Sequence, residues 1–240
     1  MLGWQEIKQR YRRSSLGPFW LTLTMGIQVV AIGPLYGRLF GQDIASYFPY
    51  LAVSLVTWHL ISSTINELCL AFISAEGIIK QQKLPMSIYV LRVIYKNIIV
   101  YLHNFVIVGL LLFFYPPQIS LDLLLFPLAL FFFLINSIWL GMLLGMVSAR
   151  FRDIPQIVGS LMTVALFITP VMWKVDMLGS KIFFAQVNPI FHFLEIIRQP
   201  LLGGQLPFFS WLVVIAITFL GYIVFIAVFT RFRSRIAFWV

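Results

Sequence analysis

The sequence predicts an all-α integral membrane protein. Six transmembrane helices follow an N-terminal amphipathic interfacial helix, and an outer re-entrant helical hairpin precedes the last span. Three observations carry this. Of 240 residues, 61% are hydrophobic and only 10% are charged, against about 25% charged in soluble domains. The apolar residues gather in six runs near the length of about 20 residues that crosses roughly 30 Å of hydrocarbon. Lys and Arg cluster between those runs, so the net charge of +9 reads as a topology signal rather than a nucleic-acid surface.

The N-terminus opens the series. Trp4, Ile7 and Tyr11 recur at spacings of three and four, with Lys8 and Arg12 opposite them, the pattern of a helix lying in the interface. Lys8, Arg10, Arg12 and Arg13 crowd the start of RYRRSSLGPFW, and Gly17 and Pro18 stand where the apolar run begins. Proline costs little in a first helical turn, where its missing N–H would have had no partner. The chain is therefore expected to lie on the membrane, turn at Ser15–Gly17 and enter the bilayer. The first apolar run is too long for a signal peptide and no small-residue cleavage site follows, so it reads as an uncleaved first span.

The spans are expected at about 18–40, 47–73, 93–115, 121–148, 156–175 and 208–230. An even number puts both termini on one side. Thirteen basic residues fall on that side: Lys8, Arg10, Arg12, Arg13, Lys80, Lys83, Arg92, Lys96, Arg150, Arg152, Arg231, Arg233 and Arg235. Four fall on the other: Arg38, Lys174, Lys181 and Arg198. Basic residues flanking spans stay in the cytoplasm, so both termini are expected there. Between the fifth and sixth spans, IFHFLEIIRQPLL (190–202) is apolar but carries Glu195 and Arg198. It is too short to cross, so 176–206 reads as a helical hairpin dipping in from the outer face, started by Asn188–Pro189 and stopped by Gly203–Gly204. Two ladders of small residues, Ser137/Gly141/Gly145/Ala149 and Gly33/Gly37/Gly41, allow close helix approach and are read as packing within the chain rather than a dimer seam.

The sequence does not look like that of an enzyme. It has no G-x-x-x-x-G-K-[ST] and not one Gly-Lys pair, so it lacks a phosphate-cradling loop of its own. No serine has the setting of a nucleophile elbow. His192 and Glu195 are three apart and can share a helix face as metal ligands do, but a clear third ligand is missing; a polar pair at the interface is the plainer reading. The single cysteine, Cys69, excludes an intrachain disulfide and reads as packing.

Polar residues in three places carry the functional expectations. On the second span His59, Ser63 and Glu67 are spaced by four, with Ser62 and Asn66 beside them. A charge in mid-helix costs about 2.5–3.5 kcal/mol on insertion scales, so this stripe should face protein or water. Two readings stand together: His59, Ser63, Asn66 and Glu67 line a hydrophilic path, or Glu67 pairs with a basic residue such as Arg12 or Arg13. The first cytoplasmic loop, AEGIIKQQKLP (75–85), sets Ile78 and Ile79 beside Glu76, Lys80 and Lys83. It is a surface-lying connector or a short helix that docks in a partner's groove. In the second turn, ARFRDIP (149–155), Arg150, Arg152 and Asp153 precede Pro155 and either cap a helix or touch the same partner. Aromatic residues make up 17% of the chain; most belong to lipid-facing surface and interfacial belts, the rest to a path along which sugar rings can stack.

RYRRSSLGPFW with its apolar span, RFRDIPQIV (150–158), TPVMW (169–173) and NPIFHFLEIIRQPLLG (188–203) together resemble the type-2 ABC exporter permeases for bacterial surface polysaccharides. The nearest likeness is to membrane subunits exporting lipid-linked O-antigen, with capsule and teichoic-acid permeases as relatives. The resemblance spans nearly the whole chain, a single ABC-2 type transmembrane domain over 1–240. It implies a homodimer in the bacterial inner membrane, bound to two cytoplasmic ATPase subunits that supply ATP and Mg; the chain itself would carry no cofactor. It makes 2–13 a gate helix, 75–85 a coupling helix and 176–206 the periplasmic re-entrant pair. Lys8, Arg10, Tyr11, Arg12 and Arg13 would then meet the diphosphate head group of a polyprenyl-linked polysaccharide. A membrane enzyme acting on lipid-linked sugars and a permease for small drugs are the competing classes.

Overall fold

The computed structural model describes residues 19–82, 84–117 and 120–239. The expected interfacial helix 2–13, with Lys8, Arg10, Tyr11, Arg12 and Arg13, and the side chain of Lys83 lie outside the described residues. Ten α-helices are described: α1 (Phe19–Leu39), α2 (Ile44–Cys69), α3 (Glu76–Gln81), α4 (Ser87–Phe114), α5 (Leu125–Arg150), α6 (Ile154–Ile168), α7 (Phe183–Gln186), α8 (Pro189–Leu202), α9 (Phe208–Phe232) and α10 (Ile236–Trp239). Short 3-10 turns lead into α3 and α5. Among the described residues five helices are long and apolar enough to cross a membrane: α1, α2, α4, α5 with its leading turn, and α9.

The element boundaries follow local chemistry. Gly41 turns the chain at φ 60°, and the Asp43 carboxylate then caps α2 by accepting from the Ser46 N–H at 3.1 Å, satisfying an orphan donor of the first turn. Pro116 and Pro117 follow the end of α4. Pro155 occupies the first turn of α6, where it is tolerated. The α6 helix differs from the expected fifth span. It has 15 residues, about 22 Å at 1.5 Å per residue, and it stops at Ile168 instead of running on to 175. The cause is Pro170, whose ring disfavours helical backbone in the residue before it; Thr169 is accordingly extended, with ψ 137°.

The α8 helix has the start and stop that its sequence foretold. The Asn188 side chain accepts from the Ile190 N–H at 3.0 Å, Pro189 is in the first turn, and Gly203 ends the helix at φ 66°, a left-handed conformation that glycine adopts without steric penalty.

The α2 helix is the central post. It packs against α1, α4, α5, α6 and α8, and 72% of its hydrophobic window is buried, against 11–22% for the other four long helices. That burial gives the polar stripe of α2 protein rather than lipid on most sides. One core cluster joins α2 to α1, α4, α5, α8 and α9; a second surrounds the α2–α3 connection and includes Leu68, Phe72, Ile79, Val90, Met146 and Ile236.

The α5 ladder packs inside the chain, as do Gly33 and Gly37 of the other; Gly41 lies in the exposed turn beyond α1, with open space where a Cβ would stand. A Cβ on Gly141 would stand 2.6 Å from Leu68 and 2.8 Å from Val90, and one on Gly145 would stand 3.0 Å from Phe72. At the far end of α1, Gly33 abuts the Phe48 ring. Gly221 on α9 lies so close to Trp139 on α5 that a Cβ would come within 2.3 Å of the indole.

Candidate functional site

Chemistry-bearing side chains gather in three regions: along α2, at the end of the bundle where α3 lies, and at the opposite end under α8.

The stripe on α2 resolves into an inward network. Glu67 pairs with Lys96 of α4 at 2.8 Å, and the same carboxylate oxygen accepts from Asn97 Nδ2 at 2.7 Å. Asn97 Oδ1 in turn accepts from the Ser63 hydroxyl at 2.7 Å. Among the described residues the basic partner of Glu67 is Lys96; Arg12 and Arg13 lie outside them. Asn66 returns its amide to the Ser62 carbonyl at 2.8 Å, and Gly159 of α6 stands beside it. His59 is exposed. The sequence reading found the stripe but missed Asn97, whose signal was an amide in an otherwise apolar span.

At the α3 end, Lys80 donates to Glu76 at 2.6 Å, one turn apart. This hydrogen bond, with the Lys80 charge, holds the Glu76 carboxyl below the usual carboxylate range. The apolar side of α3 is not free for a partner. Ile79 is buried in the second core cluster and Ile78 packs half-buried against it. The exposed side of the helix is Gly77, Lys80 and Gln81. In the neighbouring turn the Asp153 side chain makes no cap hydrogen bond to α6, and Arg152 lies near enough to act on Glu76. Arg150 stacks over Phe151 and over Trp239 of α10, at 5.4 and 5.2 Å from the ring centroids, tying the last described segment to the end of α5.

The opposite end holds a polar knot that the sequence reading missed. The TPVMW turn presents backbone carbonyls after α6 ends, and buried carbonyls need donors. Tyr47 donates to Met172 O at 2.5 Å. Tyr50 lies 3.0 Å from Pro170 O and 2.7 Å from Trp173 O. Arg198 of α8, fully buried, donates to Pro170 O at 2.7 Å and to the Ser54 hydroxyl at 2.9 Å. Its Nη2 pairs with Glu195, and its guanidinium lies 4.4 Å from the Tyr50 ring centroid. Asn188 reaches Thr169 Oγ1 at 2.8 Å. The donors come from α2 and from the α8 region, more than 100 residues apart in sequence, which is why spacing alone did not reveal the set.

His192 and Glu195 do not converge. The His192 Nε2 faces the Gln186 carbonyl at 2.7 Å, and Nδ1 faces the Ser210 hydroxyl at 2.9 Å. Since a carbonyl only accepts, Nε2 carries the proton and the Ser210 hydroxyl donates to Nδ1. Burial pushes this imidazole below its ordinary value. Glu195 is engaged by Arg198 and by Gln199 Nε2 at 2.7 Å. Among the described residues no group of three His, Cys, Asp or Glu side chains gathers as a metal site.

A cavity of about 820 Å³ opens beside the knot, walled by the start of α2, the end of α4, residues 174–176 and α8. Five long apolar helices, a polar network on the central one and polar clusters at both ends are the plan of a multi-pass transport permease. The chain belongs to the ABC-2 type transporter family, whose model matches residues 1–202; such permeases work within ABC systems driven by an ATPase partner. Two relatives are both named O-antigen export system permease protein RfbA. That from Myxococcus xanthus is 23% identical over 74% of this chain and 68% of its own length. One from Klebsiella pneumoniae is 22% identical over 97% of this chain and 91% of its own.

Proposed function

We propose that the chain is the membrane-spanning subunit of an ATP-driven exporter. Its cargo is a polyprenyl-diphosphate-linked polysaccharide of the O-antigen class, moved across the bacterial inner membrane. The observation that carries this reading is the end-to-end match to a named O-antigen export permease over 97% of the chain and 91% of the relative. ATP and Mg belong to the partner ATPase, and the working unit is a homodimer with both termini cytoplasmic.

In this reading α6 and the TPVMW turn together complete the sixth crossing, because the 15-residue helix is too short to span alone. The α3 end faces the cytoplasm, where thirteen of 17 basic residues then fall. Residues 75–85 form the coupling helix. Ile79 anchors it from within, and Glu76, Lys80 and Lys83 meet the ATPase, with Arg150, Arg152 and Asp153 alongside. Residues 176–206, including α8, form the periplasmic re-entrant pair. His59, Ser63, Asn66 and Glu67 mark the polar side of the path. The interfacial segment 2–13 receives the cargo head group: each basic residue near an anionic surface contributes about 1 kcal/mol, so Lys8, Arg10, Arg12 and Arg13 concentrate the diphosphate at the inner mouth while Tyr11 sits at the interface.

The test is genetic and chemical. Deletion of the gene should abolish surface O-polysaccharide and leave undecaprenyl-linked polymer inside the cell, with recovery on complementation. Normal surface polymer in the deletion strain would overturn the reading. Retained polymer of capsule or teichoic-acid type would move the cargo to those relatives.

A further inference from the structure

We propose that the cavity beside the knot is a saccharide subsite at the outer face, holding one or two sugar units of the polymer as it leaves. The inference rests on the export reading for the source of the sugar; the chemistry is that of the cavity itself.

Size comes first. At about 820 Å³ the cavity falls within the usual range of small-ligand sites, about 300–1,000 Å³. Its charges come second. Glu195 and Arg198 line it as a buried pair that neutralises itself. At the rim stand Lys174 and Asp176, again one of each sign. The lining is therefore formally neutral, which suits an uncharged polyol better than an anionic head group.

Available hydrogen bonds come third. Asp176 is exposed, and its carboxylate has no hydrogen bond or ion pair with another described residue. Lys174 makes one long contact, 3.5 Å to the Ser46 hydroxyl, and rests 5.8 Å from the Tyr50 ring centroid. It has three donors, so two remain. A carboxylate that accepts and an ammonium that donates, two residues apart, match adjacent sugar hydroxyls, which do both. The fourth feature is a ring platform. Tyr115 at the end of α4 lines the same cavity with over a third of its surface exposed, and the C–H face of a pyranose can lie against it. The Tyr50 hydroxyl, the two terminal nitrogens of Arg198 and the Glu195 carboxylate are already engaged by the TPVMW carbonyls, Ser54, Gln199 and each other. They form a rigid floor, and the free groups sit at the mouth. Such an arrangement grips weakly and releases, as an exit for a moving polymer requires.

The experiment uses the permease–ATPase complex purified in detergent. The probe is a lipid-free oligosaccharide of two repeat units, released by mild acid from the host's own surface polymer. Saturation-transfer NMR and calorimetry should show binding to the parent complex. Asp176→Asn and Lys174→Gln should each weaken it about tenfold, the loss of one hydrogen bond to a charged group. Both positions lie at the rim, so both variants should melt with the parent. No oligosaccharide binding to the parent, or equal binding to the variants, overturns the subsite. Displacement of the oligosaccharide by glycerophosphoethanolamine with equal or tighter affinity also overturns it and assigns the cavity to a lipid head group. The export reading fails separately: if the deletion strain still displays its polymer, the gene is not the exporter, whatever the cavity binds.

Discussion

Replacing Arg198 by Met tests whether the polar knot holds α8 to the bundle. The guanidinium is 1% exposed. The substitution removes two hydrogen bonds, to Pro170 O and Ser54, and leaves Glu195 buried at 6% exposure with only Gln199 as its donor. Breaking one partner of a buried pair costs about 3–5 kcal/mol, chiefly from the charge left behind. For a chain of 240 residues, about 2–4 °C of melting temperature accompanies each kcal/mol, so the midpoint should fall by about 6–20 °C. Removing both charges, Arg198→Met with Glu195→Met, takes away the uncompensated carboxylate. It should recover more than half of the loss, since a buried pair replaced by apolar groups is often neutral. The assay is supplied by the chain. Cys69 is its one cysteine and is fully buried, so a maleimide dye that fluoresces on reaction reports unfolding in detergent. A midpoint within 2 °C of the parent for the single variant, or a double variant no better than the single, would refute the reasoning.

Three further outcomes follow from the same geometry. Gly221→Ala drives a methyl into the Trp139 indole at 2.3 Å and should cost about 1–3 kcal/mol by overpacking; Gly77→Ala meets open space and should be neutral or mildly stabilising, both read by the Cys69 melt. His192 is held neutral by burial, with its value below the ordinary 6.5. The unfolded chain therefore binds a proton first as pH falls. Stability should be full above about pH 6.5 and decline below it, and His192→Gln should flatten that limb of the pH–melting curve. Ile79→Asp should lower the amount of folded protein, because it buries a charge in the second core cluster, whereas Lys80→Glu should leave the melt within 2 °C and reduce stimulation of the partner ATPase. Equal melts for the two variants would show that Ile79 is not an anchor.

What the sequence made legible follows from the range of each signal. Apolar run length, basic clusters, the Asn188–Pro189 start and the Gly203 stop are local, and the long helices and α8 appear where they foretold. The small-residue ladder on α5 was legible too, because spacing of four fixes a helix face; the other ran one step too far, since Gly41 lies in the turn beyond α1. The short α6 was misjudged: the run 156–175 is predominantly apolar, and hydropathy carried it past Pro170, whose steric effect on Thr169 ends the helix. On α2 the stripe was visible and a basic partner for Glu67 was expected; among the described residues that partner is Lys96, which the spacing did not single out, since a periodic face says where a side chain points and not what stands opposite. The knot was illegible for a further reason. Tyr47, Tyr50 and Ser54 read as ordinary members of an apolar span; the two tyrosines meet backbone carbonyls 120 or so residues away and Ser54 accepts from Arg198, which no local side-chain pattern encodes. The inward burial of Ile79 likewise depends on α4 and α5, not on the loop that contains it.

The way the TPVMW turn is held has a mechanical consequence. Its carbonyls are fastened from α2 and from α8 at once, while the other end of α6 joins α5 through the three residues 151–153. A helix tethered firmly at one end and by a short link at the other cannot translate along its axis; it can only pivot about the tethered end. Any tilt of α6 during a transport cycle then sweeps its 151–153 end through the largest arc and leaves the α8 end nearly still. The lever is longest where the ATPase would push and shortest where the polymer would leave, so a large stroke on one side becomes a small, forceful displacement on the other.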